Sequence, residues 1–153
     1  MAILTKPHFR GQSVVRLDGK GRLRVPTKYR DVLQKHYQDA LVITRFDECL
    51  VAYPPEIWEQ IEAKVMSFSQ VDPNQRNFQR FFISSAEDCT FDNQGRILIP
   101  SVLKKHAGLE QEVLLAGMLN CFEIWDTGRW EKRMEWSQEH YSELAGSVTG
   151  LGL

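Results

Sequence analysis

The sequence predicts an α+β fold built from two copies of one small β-rich module. Three observations predict it: a duplicated motif, strand-like alternation inside each copy, and a helix-start signal directly after each alternating run. The duplication is the strongest. Val15-Arg16-Leu17-Asp18-Gly19-Lys20-Gly21-Arg22-Leu23-Arg24-Val25-Pro26 matches Cys89-Thr90-Phe91-Asp92-Asn93-Gln94-Gly95-Arg96-Ile97-Leu98-Ile99-Pro100, with aspartate, glycine, arginine and proline at a constant offset of 74. A second block recurs at an offset of 72. There Leu41-Val42-Ile43 matches Val113-Leu114-Leu115, Cys49-Leu50 matches Cys121-Phe122, Tyr53 matches Trp125, and Trp58-Glu59 matches Trp130-Glu131. A fixed internal period sets the structural unit and precedes any assignment of elements.

Each copy is predicted to open with a hairpin. Residues 14–17 form an extended run, 18–21 the turn, and 22–25 the return. The order Arg22, Leu23, Arg24, Val25 has the strand period of two, so Leu23 and Val25 face a core and Arg22 and Arg24 face outward. Pro26-Thr27 and Pro100-Ser101 end these strands, with Thr27 and Ser101 expected as helix N-caps. Short amphipathic helices follow, with apolar stripes Tyr29, Val32, Leu33 in the first copy and Val102, Leu103, His106 in the second. Further strands are expected at 40–44 and 49–53, and at 112–116 and 121–125. A last helix opens near Pro54-Pro55 and near Asp126, with Trp58 and Trp130 as its anchors on the sheet.

The predicted organisation is module 1 over 7–66, a helical connector over 67–82, module 2 over 83–134, and a helix end with a disordered tail over 135–153. Asp72-Pro73-Asn74-Gln75 gives the connector an N-cap and a first-turn proline, and Phe78, Phe81 and Phe82 give it apolar contacts. The tail after Gly146 has glycines and little to bury. Each module is only about 50–60 residues, a size at which a lone core is marginal, so the copies are expected to bury apolar faces on each other or on neighbouring chains.

Composition narrows the function. With 42% hydrophobic and 25% charged residues the chain suits a soluble globule. No apolar run reaches the roughly 20 residues of a membrane span. The start, Met1-Ala2-Ile3-Leu4-Thr5-Lys6-Pro7, is too short for a secretory signal, which leads to an expected cytoplasmic location. Cys49, Cys89 and Cys121 are widely spaced, with no metal-binding or disulfide pattern. Net charge is −1, yet residues 10–30 carry seven basic side chains against Asp18 alone. That is a local electrostatic footprint for a polyanion on an otherwise acidic chain, although solvated charged faces are common.

The repeated Asp-x-x-x-Arg turn is the chief candidate site. Asp18 and Asp92 are expected to accept hydrogen bonds from turn N–H groups, and Gly21 and Gly95 to supply positive φ. Arg22 and Arg96 then emerge beside a carboxylate that holds the guanidinium fork. A pre-oriented arginine loses less entropy on meeting guanine O6 and N7 or a phosphate. Arg16, Lys20 and Arg24 add charge, with Arg16 and Arg24 expected on one outward face of the first hairpin. The expected DNA-binding set is Arg16, Lys20, Arg22, Arg24 and Arg96. The competing reading is a turn ion pair with no ligand.

In these motifs the sequence resembles the MraZ family of transcriptional regulators, whose modules belong to the SpoVT-AbrB, or swapped-hairpin, class. The resemblance takes in Phe9-Arg10-Gly11, Leu17-Asp18-Gly19-Lys20-Gly21-Arg22-Leu23, Val25-Pro26-Thr27-Lys28-Tyr29-Arg30, Tyr53-Pro54, Trp58, Asp92-Asn93-Gln94-Gly95-Arg96, Ile99-Pro100 and Glu123-Ile124-Trp125-Asp126. It implies swapped-hairpin modules joined in a pseudo-symmetric β-barrel with flanking helices. It also implies double-stranded DNA as partner, ring-like homo-oligomers, a nucleoid-associated protein, and control of the protein's own cell-division and cell-wall operon. The stretch before Phe9 departs from the family pattern.

Other readings are weaker. Gly19-Lys20-Gly21 lacks the remainder of a P-loop, and His8, His36, His106 and His140 lack ligand spacing, so neither a cofactor nor a metal is expected. His36 and His106 are placed at helix C-termini as caps. Trp58, Trp130, Phe81 and Phe82 are read as core. An enzyme built on a pseudo-symmetric Asp18/Asp92 dyad, as in aspartic proteases, would need a shared proton. The neighbouring arginines favour two ionised carboxylates, so no enzyme is expected. An antitoxin-like protein-binding module is the remaining alternative, against which stands the short C-terminal tail.

Overall fold

A computed structural model describes residues 8–152; the expected module start at Pro7, the stretch 1–7 and Leu153 lie outside the described residues. Eight strands run in chain order: β1 (Gln12–Arg16), β2 (Arg22–Arg24), β3 (Ala40–Phe46), β4 (Cys49–Tyr53), β5 (Glu87–Thr90), β6 (Arg96–Leu98), β7 (Glu112–Gly117) and β8 (Phe122–Asp126). The helices are α1 (Thr27–His36), α2 (Pro55–Val65), α3 (Pro73–Phe78), α4 (Ser101–Ala107), α5 (Thr127–Glu139) and α6 (Tyr141–Ser147). The fold is α+β and antiparallel throughout.

The two copies are interleaved. One sheet has six strands in the order β1-β7-β8-β4-β3-β5, and β2 pairs with β6 in a separate two-stranded ribbon. The first strand of each copy therefore lies on the sheet of the other. Gln12 to Arg16 of β1 run opposite Ala116 to Glu112 of β7, and Glu87 to Thr90 of β5 run opposite Ile43 to Ala40 of β3. β4 and β8 join the copies at the centre through Leu50↔Ile124, Val51↔Glu123 and Ala52↔Phe122.

This corrects two expectations. The first concerns the opening hairpin. Its limbs pair at the turn, through the Leu17↔Leu23 bridge and the bond from Asp18 N–H to the Arg22 carbonyl at 2.9 Å, and then leave for different partners. The second concerns the barrel, which is not closed: β1 and β5 are the two edges of an open ladder. The physical reason is common to both. Period-two alternation specifies which face of a strand is buried but not which strand lies beside it. Copies this small gain more by pooling their apolar faces than by closing separately.

The pooled core contains Phe9, Leu17, Leu23, Tyr29 and Leu33 from the first copy and Ile97, Leu103, Val113, Phe122 and Ile124 from the second, all at or below 5% exposure. Phe9, Tyr29 and Phe122 meet with ring centroids 4.9–5.5 Å apart. Two smaller clusters cover the opposite face of the sheet. Trp58 of α2 packs with Val42, Val51, Phe82 and Cys121, and Trp130 of α5 packs on Trp125. The thiols of Cys89 and Cys121 are pushed up to about 12 by burial, and that of Cys49 is also raised by burial, so all three remain neutral apolar groups.

Several local expectations change. Thr27 and Ser101 are the first helical residues, not caps. Pro26 and Pro100 occupy the cap positions, with ψ near 145° and 142°, and neither helix has a side-chain cap. Val102 points to solvent, whereas Leu103 and Ala107 are buried. In the connector Asp72 caps α3 by accepting from Asn74 and Gln75 N–H, and the helix then widens into a π-helical stretch over Gln79–Ile83. Phe81 is only partly buried, with the Arg45 guanidinium 4.4 Å from its ring centre. Beyond Gly146, α6 reaches Ser147 and a 3₁₀ turn covers Thr149–Leu151. Side-chain bonds from Ser147 to the Leu144 carbonyl and from Thr149 to the Gly146 carbonyl hold these turns locally.

Candidate nucleic-acid interface

The two Asp-x-x-x-Arg turns have the same geometry. In the first, Asp18 Oδ1 accepts from the Lys20 and Arg22 backbone N–H groups, each at 2.9 Å, and Oδ2 accepts from Arg22 Nε at 2.7 Å. In the second, Asp92 Oδ1 accepts from Gln94 N–H at 2.8 Å and Arg96 N–H at 2.9 Å, and Oδ2 from Arg96 Nε at 2.8 Å. Gly21 and Gly95 close the turns at φ +83° and +75°, a region that a side chain disfavours. Each glycine also serves the other copy. The Gly21 carbonyl accepts from Ile99 N–H at 2.8 Å, and the Gly95 carbonyl from Val25 N–H at 3.3 Å.

These bonds fix the charge state. The backbone N–H of Arg22, then its side chain and the Lys20 N–H, hold the Asp18 carboxyl at about 2. The backbone N–H of Arg96 leads the same effect at Asp92, whose carboxyl is also lowered. Asp18 and Asp92 are therefore two ionised carboxylates, each hydrogen-bonded to the arginine of its own turn, and a dyad sharing one proton has no basis here.

The ribbon brings the turns together. Leu23 pairs with Ile97 and both face the core at 1% exposure, while Arg22 lies opposite Leu98 and Arg24 opposite Arg96. With two-residue alternation, Arg22, Arg24, Arg96 and Leu98 share the outward face. Arg96 Nη1 also stands 3.9 Å from Asp18 Oδ2, so one carboxylate faces arginines from both copies. Like charges directly opposite on a ribbon repel, and Asp18 and Asp92 offset the Arg24–Arg96 juxtaposition.

The other expected site residues are placed differently. Lys20 is exposed on the first turn. Arg16 is not beside Arg24 on a hairpin face. It ends β1 opposite Glu112 and lines a cleft of about 550 Å³ with Asp18, Gly19 and Lys104. The equivalent cleft of the other copy, about 380 Å³, lies between Arg24, Thr27, Arg30 and the turn of Asn93, Gln94 and Gly95. Two residues of this region were not singled out from sequence. Arg30 forks onto Asp39 at 2.9 and 2.8 Å and lies 4.1 Å from the centre of the Phe91 ring. Lys104 is its counterpart at the same offset of 74, which is the signal that would have found both. His106 Nε2 donates to the Asp47 carbonyl at 2.8 Å, across to the β3–β4 turn and not to its own helix end. Among the described residues no group of histidine, cysteine and carboxylate side chains could hold a metal, and no helix is long and apolar enough to cross a membrane.

The fold and site define a class: a two-copy α+β protein with exchanged first strands, whose twin turns display arginines on one shared ribbon. Comparison with known proteins identifies which. The family model described as "MraZ protein, putative antitoxin-like" matches residues 8–81 and again 82–146. A "Transcriptional regulator MraZ" of Syntrophobacter fumaroxidans is 60% identical over 97% of this chain and 99% of that protein. Proteins of the same name from Halothermothrix orenii and Klebsiella pneumoniae are 40% and 46% identical, over 95% and 83% of this chain and 99% and 85% of their own lengths. The chain belongs to the MraZ family.

Proposed function

We propose that this chain is a DNA-binding transcriptional regulator that reads double-stranded DNA with the β2–β6 ribbon. One observation carries the reading: Arg22 and Arg96, one from each copy, are held by equivalent aspartates on the same exposed ribbon. A two-stranded ribbon fits the major groove, and a forked guanidinium matches guanine O6 and N7. Arg16, Lys20 and Arg24 supply the phosphate-directed charge around it. The relatives' name supports the regulatory role, and the family resemblance points to the protein's own cell-division operon as target and the nucleoid as its place. The exchange of first strands between copies agrees with a swapped-hairpin ancestry of each module, with boundaries at 7–66 and 83–134.

The charge is unequal between copies. Residues 10–30 carry a net +6, and the equivalent window 84–104 carries −1. Each neutralised phosphate contributes about −0.9 to the slope of log affinity against log salt. Replacing Lys20 and Arg24 by alanine is expected to flatten that slope by up to about two units. Replacing their counterparts Gln94 and Leu98 is expected to leave it unchanged. Filter binding of operator DNA over a salt series measures both, and equal changes would refute the assignment of the phosphate contacts to the first copy.

The working unit is a homo-oligomer, in which head-to-tail association of like copies closes a ring. Val14, Met66, Val71 and Tyr141 stand 59–86% exposed and give such an assembly apolar surface to cover. Linking several ribbons raises avidity for repeated DNA elements by roughly 10²–10⁴ without new contacts. Light scattering is expected to give a mass several times that of one chain, and a duplex with several repeats is expected to bind far more tightly than one repeat. A monomer at micromolar concentration would overturn the assembly, and equal affinity for both duplexes the avidity.

A further inference from the structure

We infer that Leu98 is a base-reading residue of the ribbon, packing on the C5-methyl group of a thymine in the major groove. This rests on the assignment of the ribbon as the DNA-reading element. On the outward face, three of the four side chains are arginines and the fourth is Leu98, 57% exposed. The duplication makes Leu98 the counterpart of Arg24, so a symmetric ribbon would carry a fourth arginine there. The ribbon's two ends therefore present different chemistry. At one, Arg24 stands opposite Arg96. At the other, Leu98 stands opposite Arg22 and leans over the first turn, its Cδ1 3.8 Å from where a β-carbon on Gly21 would be.

The three guanidiniums select a polyanion for this face, and a leucine within it has no use for a phosphate. The one apolar group on base edges in the major groove is the thymine methyl, which apolar side chains contact. Facing side chains on a ribbon have Cβ atoms about 5 Å apart and base pairs rise about 3.4 Å, which puts that thymine within about two base pairs of the guanine met by Arg22.

The test starts from duplexes selected by the wild-type protein out of a random-sequence pool. The expected result is a thymine at one fixed position near a guanine whose preference disappears in Arg22→Ala. Exchanging that thymine for deoxyuridine removes only its methyl group. Wild type is expected to lose about fourfold in affinity, the worth of one methyl withdrawn from water. Leu98→Ala is expected to bind both duplexes equally with an unchanged salt slope, and Leu98→Met to retain the methyl preference. A wild type indifferent to deoxyuridine at every selected thymine, or a Leu98→Ala that still discriminates, overturns the inference. If either result comes with lost binding in Arg22→Ala and Arg96→Ala, the ribbon still reads DNA and only the role of Leu98 falls. If those arginine variants bind as wild type does, the ribbon assignment fails and the inference with it.

Discussion

Alanine at both Arg22 and Arg96 is expected to abolish sequence-specific DNA binding while the protein stays folded. A bidentate arginine–guanine contact is worth about 1–3 kcal/mol of discrimination, so losing two costs roughly thirtyfold to twenty-thousandfold in specific affinity. Folding should survive because both side chains lie on the outward face, and because Asp18 and Asp92 keep their backbone partners, Lys20 and Arg22 N–H and Gln94 and Arg96 N–H. Lysine at the same positions separates fork from charge. It keeps the cation and should preserve the salt dependence, but it lacks the planar pair of donors and should lose the base preference. The effect should not vary between pH 5 and pH 8. Asp18 is lowered from 3.8 to about 2, so its hold on Arg22 is complete above the ordinary carboxylate value and is lost only as pH falls toward 2. Titration of a selected duplex by fluorescence anisotropy, with circular dichroism to confirm folding, gives the answer. Wild-type affinity in the folded double variant would remove the turns from the reading head.

What the sequence made legible was whatever depends on periodicity and repetition. The offset of 74 located both turns, and alternation of two placed Leu23 and Val25 inward and Arg22 and Arg24 outward, as found in the first copy. Partner choice was not legible. Val15 and Leu17 suit burial equally well beside their own return strand or beside Val113 and its neighbours, and only the pooled core decides between them. The helix caps were misplaced by one residue, since the Pro26 carbonyl already accepts from the Tyr29 and Arg30 N–H groups and so starts the helix before Thr27. Arg16, expected beside Arg24 on a closed hairpin, instead ends β1 opposite Glu112 in the cleft beside Asp18 and Gly19, because the hairpin limbs part. Leu98 is the counterpart of Arg24 at the offset of 74 and so falls at an outward position by parity. Its significance depends on knowing that Arg22 stands across from it.

Replacing Phe122 by alanine is expected to lower the stability of the whole chain, not of the second copy alone. The ring is fully buried and touches Phe9 and Tyr29 of the first copy at centroid distances of 5.4 and 4.9 Å. Tyr29 in turn donates from its hydroxyl to the Gly11 carbonyl at 2.5 Å, so the aromatic group also ties the chain entering β1. Truncating a buried phenylalanine to alanine typically costs about 3–5 kcal/mol, and for a chain of this length each kcal/mol lowers the melting temperature by about 2–4 °C. A fall of roughly 6–20 °C follows. The strand order adds a sharper expectation. With β1 on β7, β5 on β3, and β4 on β8, neither copy can unfold without stripping a strand from the other. Hydrogen exchange should therefore accelerate by the same factor in β3 of the first copy and β7 of the second, and thermal unfolding should remain a single transition. Protection lost in β7 while β3 stays as in wild type would mean that the copies unfold separately, and that the exchanged strands contribute little to holding them together.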